Sequence, residues 1–191
     1  MSEKSSSKST DAIELTFRPV TKSRLSDFEA LFESKGAPSY CWCMAFREMG
    51  PDRAKSTNAE RKAAMAARIN KNLPVGLLGY DGKDPVAWVS IAPRQAFLDL
   101  GGPEAEAGER IWSLTCMFLK RGHRGQGIGH QMIAAAIAQA KKRKATVLEA
   151  YPVDPVSPSY RFMGFVPAFR KAGFSPAGQA GTRRHVMRLP L

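Results

Sequence analysis

Apolar and polar residues alternate along Ile13-Glu-Leu-Thr-Phe-Arg-Pro-Val20, the period of a half-buried strand. From Lys22 to Lys35 the period lengthens: Leu25, Phe28, Leu31 and Phe32 share one helical face, and Gly36 ends the run. Thr57-Asn-Ala-Glu60 has the spacing of a capping box and opens a second helix to about Asn70. Two apolar runs, Val75–Tyr80 and Pro85–Ile91, flank an Asp81-Gly82 turn and predict a β-hairpin. After a Gly/Pro/Ala loop at 100–108, Arg110–Leu119 predicts another strand. A glycine-rich turn, Arg121–Gly129, then leads into a helix with Ile128, Met132, Ile133, Ala136 and Ile137 inward. Ala145–Tyr151 is predicted as a strand and Tyr160–Ala172 as a helix that Pro167 breaks or shortens. His185–Leu189 closes the chain as a last strand. Pro38–Arg47, dense in aromatics and sulfur, follows neither period. The order of elements is that of a mixed α/β domain, without internal repeats.

The 191 residues suit a single domain over 12–191, behind a Ser/Lys-rich stretch at 1–11 that reads as a disordered, solvated tail. With 43% hydrophobic and 24% charged residues the chain has the composition of a globular protein. No apolar run reaches the roughly 18–20 residues of a membrane span, and the N-terminus lacks the apolar stretch of a secretory signal. Cys41, Cys43 and Cys116 are too few for a disulfide framework, so a cytoplasmic, reduced protein is expected. The pattern leaves monomer and homodimer open.

Lys+Arg 29 against Asp+Glu 17 gives a net charge of +12, which raises the question of a polyanionic partner. The cations are scattered, however, among Lys120–Arg124, Lys141–Lys144 and Arg183–His185. Neither zinc-finger spacing nor a base-stacking aromatic strand accompanies them, which argues against nucleic acid. The cations of Lys141–Lys144 are also explained by the negative end of a helix dipole.

Strand, glycine-rich turn and helix together build an anion site: first-turn N–H groups point outward, and glycines let a phosphate approach the backbone. Arg124-Gly-Gln-Gly-Ile-Gly129 supplies this, with Lys120 and Arg121 adding charge. The Walker pattern is absent, and a dinucleotide G-x-G-x-x-G frame fails because His130 falls at its third glycine.

At these residues the sequence resembles the GNAT superfamily of acyl-CoA-dependent N-acetyltransferases. Arg124, Gly127 and Gly129 match its Q/R-x-x-G-x-G/A signature, and Phe169-Arg-Lys-Ala-Gly-Phe174 is similar to its late aromatic-x-Lys-x-Gly-Phe segment. The resemblance implies a mostly antiparallel central sheet flanked by helices, with acetyl-CoA as acyl donor and an amine as acceptor. It places the CoA pyrophosphate on the amides of Gly125, Gln126, Gly127, Ile128 and Gly129, beside Arg124. Met117, Phe118 and Leu119 would offer strand backbone to pantetheine, where the strands splay near Glu149–Tyr151. The amine would attack the thioester directly, without a covalent enzyme intermediate.

The family often carries a tyrosine, as general acid, five positions before the late phenylalanine, and this chain has Phe169 there. Tyr160, at the same spacing from Gly164-Phe165, and Tyr151 are the alternative acids, and Glu149 is the candidate base. Each has a bland reading too, as packed aromatics or a solvent-facing strand residue. Because of Phe169, an acyl-CoA-binding module without turnover is the rival function, with a basic nucleic-acid-associated protein behind it. Tyr40-Cys-Trp-Cys-Met44 supplies two thiolates, short of a zinc set, so no metal is expected. A nucleophilic role for Cys41, Cys43 or Cys116 needs a base or positive field that the sequence does not place beside them. The stretch resembles one in bacterial GNAT-like proteins and fits an acceptor-site wall; core packing is the other reading.

Overall fold

A computed structural model describes residues 13–51 and 53–191; the expected tail at 1–11 lies outside the described residues. Seven strands form one sheet in the order β1-β2-β3-β4-β5-β7-β6. They are β1 (Thr16–Pro19), β2 (Leu77–Asp81), β3 (Asp84–Pro93), β4 (Ile111–Leu119), β5 (Val147–Ala150), β6 (Ser175–Ala180) and β7 (Arg184–Pro190). Neighbours pair antiparallel except β4 and β5, which run parallel. The helices are α1 (Leu25–Glu33), α2 (Asn58–Asn70), α3 (Ile128–Lys142) and α4 (Val166–Lys171).

The side chains sort by face. Ile128, Met132, Ile133 and Ala136 of α3 pack with Val89 and Ile91 of β3 and with Val166 and Phe169 of α4. Phe28, Leu31 and Phe32 of α1, with Met65 and Ile69 of α2, pack around Trp88 and Trp42 in a second cluster. Ile137, expected inward, is only half-buried, and Ala140 one turn on fills the core instead.

One irregularity matters for the site. The register of β3 against β4 shifts between Ser90, opposite Cys116, and Ile91, opposite Leu114, so Thr115 is an extra residue in β4. The bulge reverses the alternation. Trp112 and Leu114 pack with α3, while Cys116 and Phe118 turn to the α1/α2 side.

Two further elements differ from expectation. Pro167 starts α4 rather than breaking a longer helix, because its missing N–H costs nothing in a first turn. Residues Arg161–Met163 form a separate 3₁₀ turn before it. The edge strand β6, Ser-Pro-Ala-Gly-Gln-Ala, is not signalled by its sequence; its proline and glycine are the residues an unpaired edge tolerates.

The capping box of α2 is formed: Glu60 N donates to Thr57 Oγ1 at 3.2 Å, and Thr57 N donates to Glu60 Oε2 at 2.6 Å. Thr57→Ala is expected to cost about 1 kcal/mol, read as a Tm lowered by a few degrees, with Thr57→Ser recovering most of it. An unchanged Tm for the alanine variant would show that the cap is energetically idle.

Candidate active site

β4 and β5 pair only from Ile111/Val147 to Leu114/Ala150. Beyond that point β4 runs on to Leu119, while β5 stops and the chain leaves through Tyr151-Pro152. The strands therefore part at the bulge, and the β5-side edge of residues 115–119 is free of strand pairing. A cleft of about 720 Å³ opens here, lined by Met117, Phe118 and Leu119 of β4, Arg124, and Gly129 and Ile133 of α3. Its other wall is built by Tyr40, Cys41, Cys43 and Phe46 of the segment after α1 and by Phe162 and Phe165 before α4. Gly164 is needed for closeness: a Cβ there would lie 2.6 Å from Met117 Cε.

At one end of the cleft the chain makes a 3₁₀ turn, Arg121–His123, then enters α3 through Gly125 (φ +79°) and Gly127 (φ +74°), both left-handed. Gly127 is the N-cap, and no side chain caps the helix. A Cβ added at Gly125, Gly127 or Gly129 would meet no atom within 4 Å, so the face above the turn is open space. Arg124 is tied to the cleft by its Nε donating to Leu119 O at 3.0 Å. His123 Nε2 lies 3.0 Å from Asp81 Oδ2, anchoring the turn to β2. Open backbone amides at a helix N-terminus with an arginine beside them fit a pyrophosphate, and the apolar cleft that continues from them fits an extended arm.

A family model for the acetyltransferase (GNAT) family matches residues 24–165. The chain belongs to that family. Solved structures with the same fold include a ribosomal-protein-alanine N-acetyltransferase from Brucella melitensis, 19% identical, covering 93% of this chain and 100% of that one with a TM-score of 0.56. An uncharacterized protein from Bacillus halodurans is 14% identical, covers 92% and 83%, and has a TM-score of 0.62. A PaiA N-acetyltransferase from Thermoplasma acidophilum in complex with coenzyme A is 16% identical, covers 93% and 99%, and has a TM-score of 0.53. Comparison with curated proteins gives no match.

In this GNAT chain the residues expected to hold the donor fall into two groups. Met117, Phe118, Leu119, Arg124 and Gly129 line the cleft itself. Gly125, Gln126 and Gly127 form the exposed turn at the start of α3, where Gln126 Nε2 donates to Gly122 O at 3.1 Å, and the Ile128 side chain is buried in the core beneath. Only the Ile128 backbone can serve a ligand.

The three expected catalytic side chains are not among the cleft-lining residues. Glu149 is 0% exposed and accepts from Arg188 Nε at 2.8 Å, from the Tyr151 hydroxyl, and faces Arg94 Nη1 at 3.7 Å. It is neither a solvent-facing strand residue nor open to the cleft. Tyr151 is also buried, between Glu149 and Ser113 Oγ at 3.3 Å; burial, reinforced by the Glu149 charge, pushes its phenol well above the usual range. Arg94 and Arg188 both reach carbonyls of the 100–108 loop, at Gly102 and Pro103, so this network clamps the loop over the sheet. Tyr160 is half-exposed in a left-handed conformation (φ +58°), with the Arg184 guanidinium 5.4 Å from its ring. Phe169 is buried against Phe174 in the α3-side core, its ring close to Gly164.

What the sequence reading did not assemble is a thiol cluster on the opposite wall. Cys41, Cys43 and Cys116 all line the cleft, and Arg47 is buried. Arg47 follows Cys43 by four residues, but only the fold shows where its guanidinium goes: Nη2 donates to Val75 O at 2.9 Å and to Ser90 Oγ at 3.2 Å. Within the Tyr40–Met44 stretch, Trp42 and Met44 are core, Tyr40 and Cys41 line the cleft, and Cys43 does both.

Proposed function

We propose that this chain transfers an acetyl group from acetyl-CoA to a primary amine of a small molecule or protein. The observation that carries the reading is the continuity of one cleft from the open amides and Arg124 at the α3 N-terminus, along Met117–Leu119, to a wall of thiols and aromatics. An acyl-CoA spans such a path, with its pyrophosphate at the charged end and its thioester at the far one. The amides of Gly125 to Gly129 hold the phosphates, and the free edge of β4 hydrogen-bonds the pantetheine amides. The aromatic residues Tyr40, Phe46 and Phe162 frame the entrance for the acceptor. Bound donor at about 100 times its Kd should stabilise the fold by roughly 2.7 kcal/mol. The test is a thermal-shift comparison: acetyl-CoA and CoA raise Tm alike, and pantetheine, which lacks the phosphates, raises it far less. Equal shifts from CoA and pantetheine would sink the phosphate assignment.

The rival reading, a binding module without turnover, is favoured by one observation. Phe169 stands where the family often has its acid, and it is buried in the core. CoA thiol release from acetyl-CoA across a panel of amines separates the two; binding without release under every amine supports the module.

A further inference from the structure

Three distant parts of the chain meet at the rim of the cleft and bring rings and guanidinium groups together. Phe46 comes from the segment after α1, Tyr160 to Phe162 from the loop between β5 and α4, and Arg184 from the start of β7. A third apolar cluster fixes them: Met163 and Val186 are fully buried in it, and Phe46 packs against it. The Phe46 and Phe162 ring centroids lie 6.2 Å apart, and those of Tyr160 and Phe162 also 6.2 Å, near edge-to-face. Tyr160 and Phe162 nevertheless stay 39% exposed each, an apolar surface that the fold leaves uncovered. Tyr160 holds a left-handed backbone (φ +58°), which is unfavourable for a residue with a side chain.

Two arginines flank these rings. The Arg184 guanidinium lies 5.4 Å from the Tyr160 ring centroid and 5.8 Å from that of Phe46, and its Nη1 is buried without a hydrogen-bond partner. Arg161 lines the cleft; its Nη1 donates to Pro155 O at 2.6 Å and Ser157 O at 3.1 Å, and its guanidinium lies 4.7 Å from the Phe165 ring centroid. Among the described residues, neither guanidinium has a carboxylate within ion-pair distance. Asp154, the acid of the same loop, lies on His185 Nε2 at 3.1 Å. Nor does any described Asp or Glu line the cleft, where the charged side chains are Arg124 and Arg161. In the acyl-CoA reading the donor phosphates take the α3 end, beside Arg124, so the positive charge at the aromatic rim is left for the acceptor.

Resting on that acetyltransferase reading, we infer that the acceptor is an amino acid with an aromatic side chain: its ring lies against Phe46 and Phe162, and its carboxylate answers Arg161 and Arg184. Rings at this spacing receive a further ring by offset or edge contact. A guanidinium without a counter-charge gains charge-assisted hydrogen bonds from a carboxylate, which a plain amine cannot supply. A polyamine or lysine-rich peptide would bring a second ammonium against these cations, with no acidic side chain in the cleft to receive it. The transfer itself is unaltered. The neutral amine bonds to the thioester carbonyl carbon, the carbon–sulfur bond breaks with its electron pair on the CoA sulfur, and the nitrogen's proton reaches that thiolate through solvent.

The experiment follows CoA thiol release by the full chain from acetyl-CoA with four amines, with kcat/KM counted per neutral amine so that differences in basicity cancel. Phenylalanine carries ring and carboxylate, phenethylamine the ring alone, glycine the carboxylate alone, and spermidine is a polycation. Phenylalanine should exceed phenethylamine and glycine by about 10–100-fold each, the size of one charged hydrogen-bonded contact or one buried ring, and spermidine should be poorest. Arg161→Gln and Arg184→Gln should each bring the phenylalanine-to-phenethylamine ratio towards one. Arg161→Lys and Arg184→Lys should keep part of it, since they keep the charge and lose the fork. A retained CoA-induced rise in Tm shows that these variants fold. Parity of phenylalanine with phenethylamine, or a ratio that survives both glutamine variants, overturns the carboxylate site, and parity with glycine overturns the ring site. A preference for spermidine overturns the acceptor class outright. Each of these results leaves the acetyltransferase reading standing. Absence of release with every amine, beside an intact CoA shift, overturns that reading and this one with it.

Discussion

Gly127→Val should weaken CoA binding by about 10–100-fold in a protein that still folds. The loss corresponds to one charge-assisted hydrogen bond between a backbone amide and phosphate, each worth roughly 1.5–3 kcal/mol. Two effects are separable here. The residue sits at φ +74°, where any side chain brings left-handed strain of about 1–2 kcal/mol, more for a β-branched one. Within the protein itself the added atoms meet nothing, since a Cβ at this position has no neighbour within 4 Å. The stability cost is therefore backbone strain alone, whereas the binding cost comes from filling the space a phosphate must enter. Gly127→Ala carries the same strain with a smaller obstruction, so its Tm should fall while its CoA affinity falls less than that of the valine variant. Isothermal titration with CoA, run beside thermal denaturation, measures both. Wild-type affinity in a folded Gly127→Val protein would remove the α3 N-terminus from the donor site.

Much of this architecture was legible because local chemistry and tertiary packing agree. The capping residues of α2, the Asp-Gly turn between β2 and β3, and the glycine turn into α3 each act within a few residues, so their geometry is written where it is used. The charged end of the cleft shares that property, being a run of nine consecutive residues from Arg121 to Gly129. The opposite wall does not. Cys43 and Cys116 share a wall only because Thr115 is inserted into β4, and a bulge shifts a period of two without leaving a distinctive residue behind. β6 was invisible for another reason: its stability comes from pairing with β7 along a partly exposed edge, and its own residues have no strand preference.

Glu149 shows how a residue type in the expected place can carry a different duty. A carboxylate on β5 near the splay reads from sequence as a base, since the pattern Leu-Glu-Ala cannot say what faces it. Its partners come from β7 (Arg188), from the turn after β3 (Arg94) and from the residue following β5 (Tyr151), none of which is near it in sequence apart from Tyr151. Gly102 packs over it so closely that a Cβ there would stand 2.5 Å from its Oε1, which leaves no room for a substrate nitrogen on that side.

Glu149→Gln should consequently act on stability first. The amide keeps the volume but removes the charge, leaving Arg188 with the weaker Glu109 contact at 3.4 Å and presenting an NH₂ group to donors that need acceptors. Breaking one side of a buried ion pair costs about 3–5 kcal/mol, and in a chain of this size each kcal/mol moves Tm by roughly 2–4 °C. The expected fall is thus on the order of 10 °C, together with loosening of the 100–108 loop, readable as faster amide exchange at Gly101 and Gly102. Below the transition, the CoA-induced rise in Tm should persist, because the network touches neither the α3 turn nor Met117–Leu119. Tyr151→Phe should lie between wild type and Glu149→Gln, since it removes a hydrogen bond and leaves the ion pair. A general base would leave the opposite signature, with Tm preserved and kcat reduced by about 10²–10⁴. That outcome would move Glu149 from the clamp of the loop to the chemistry of the cleft.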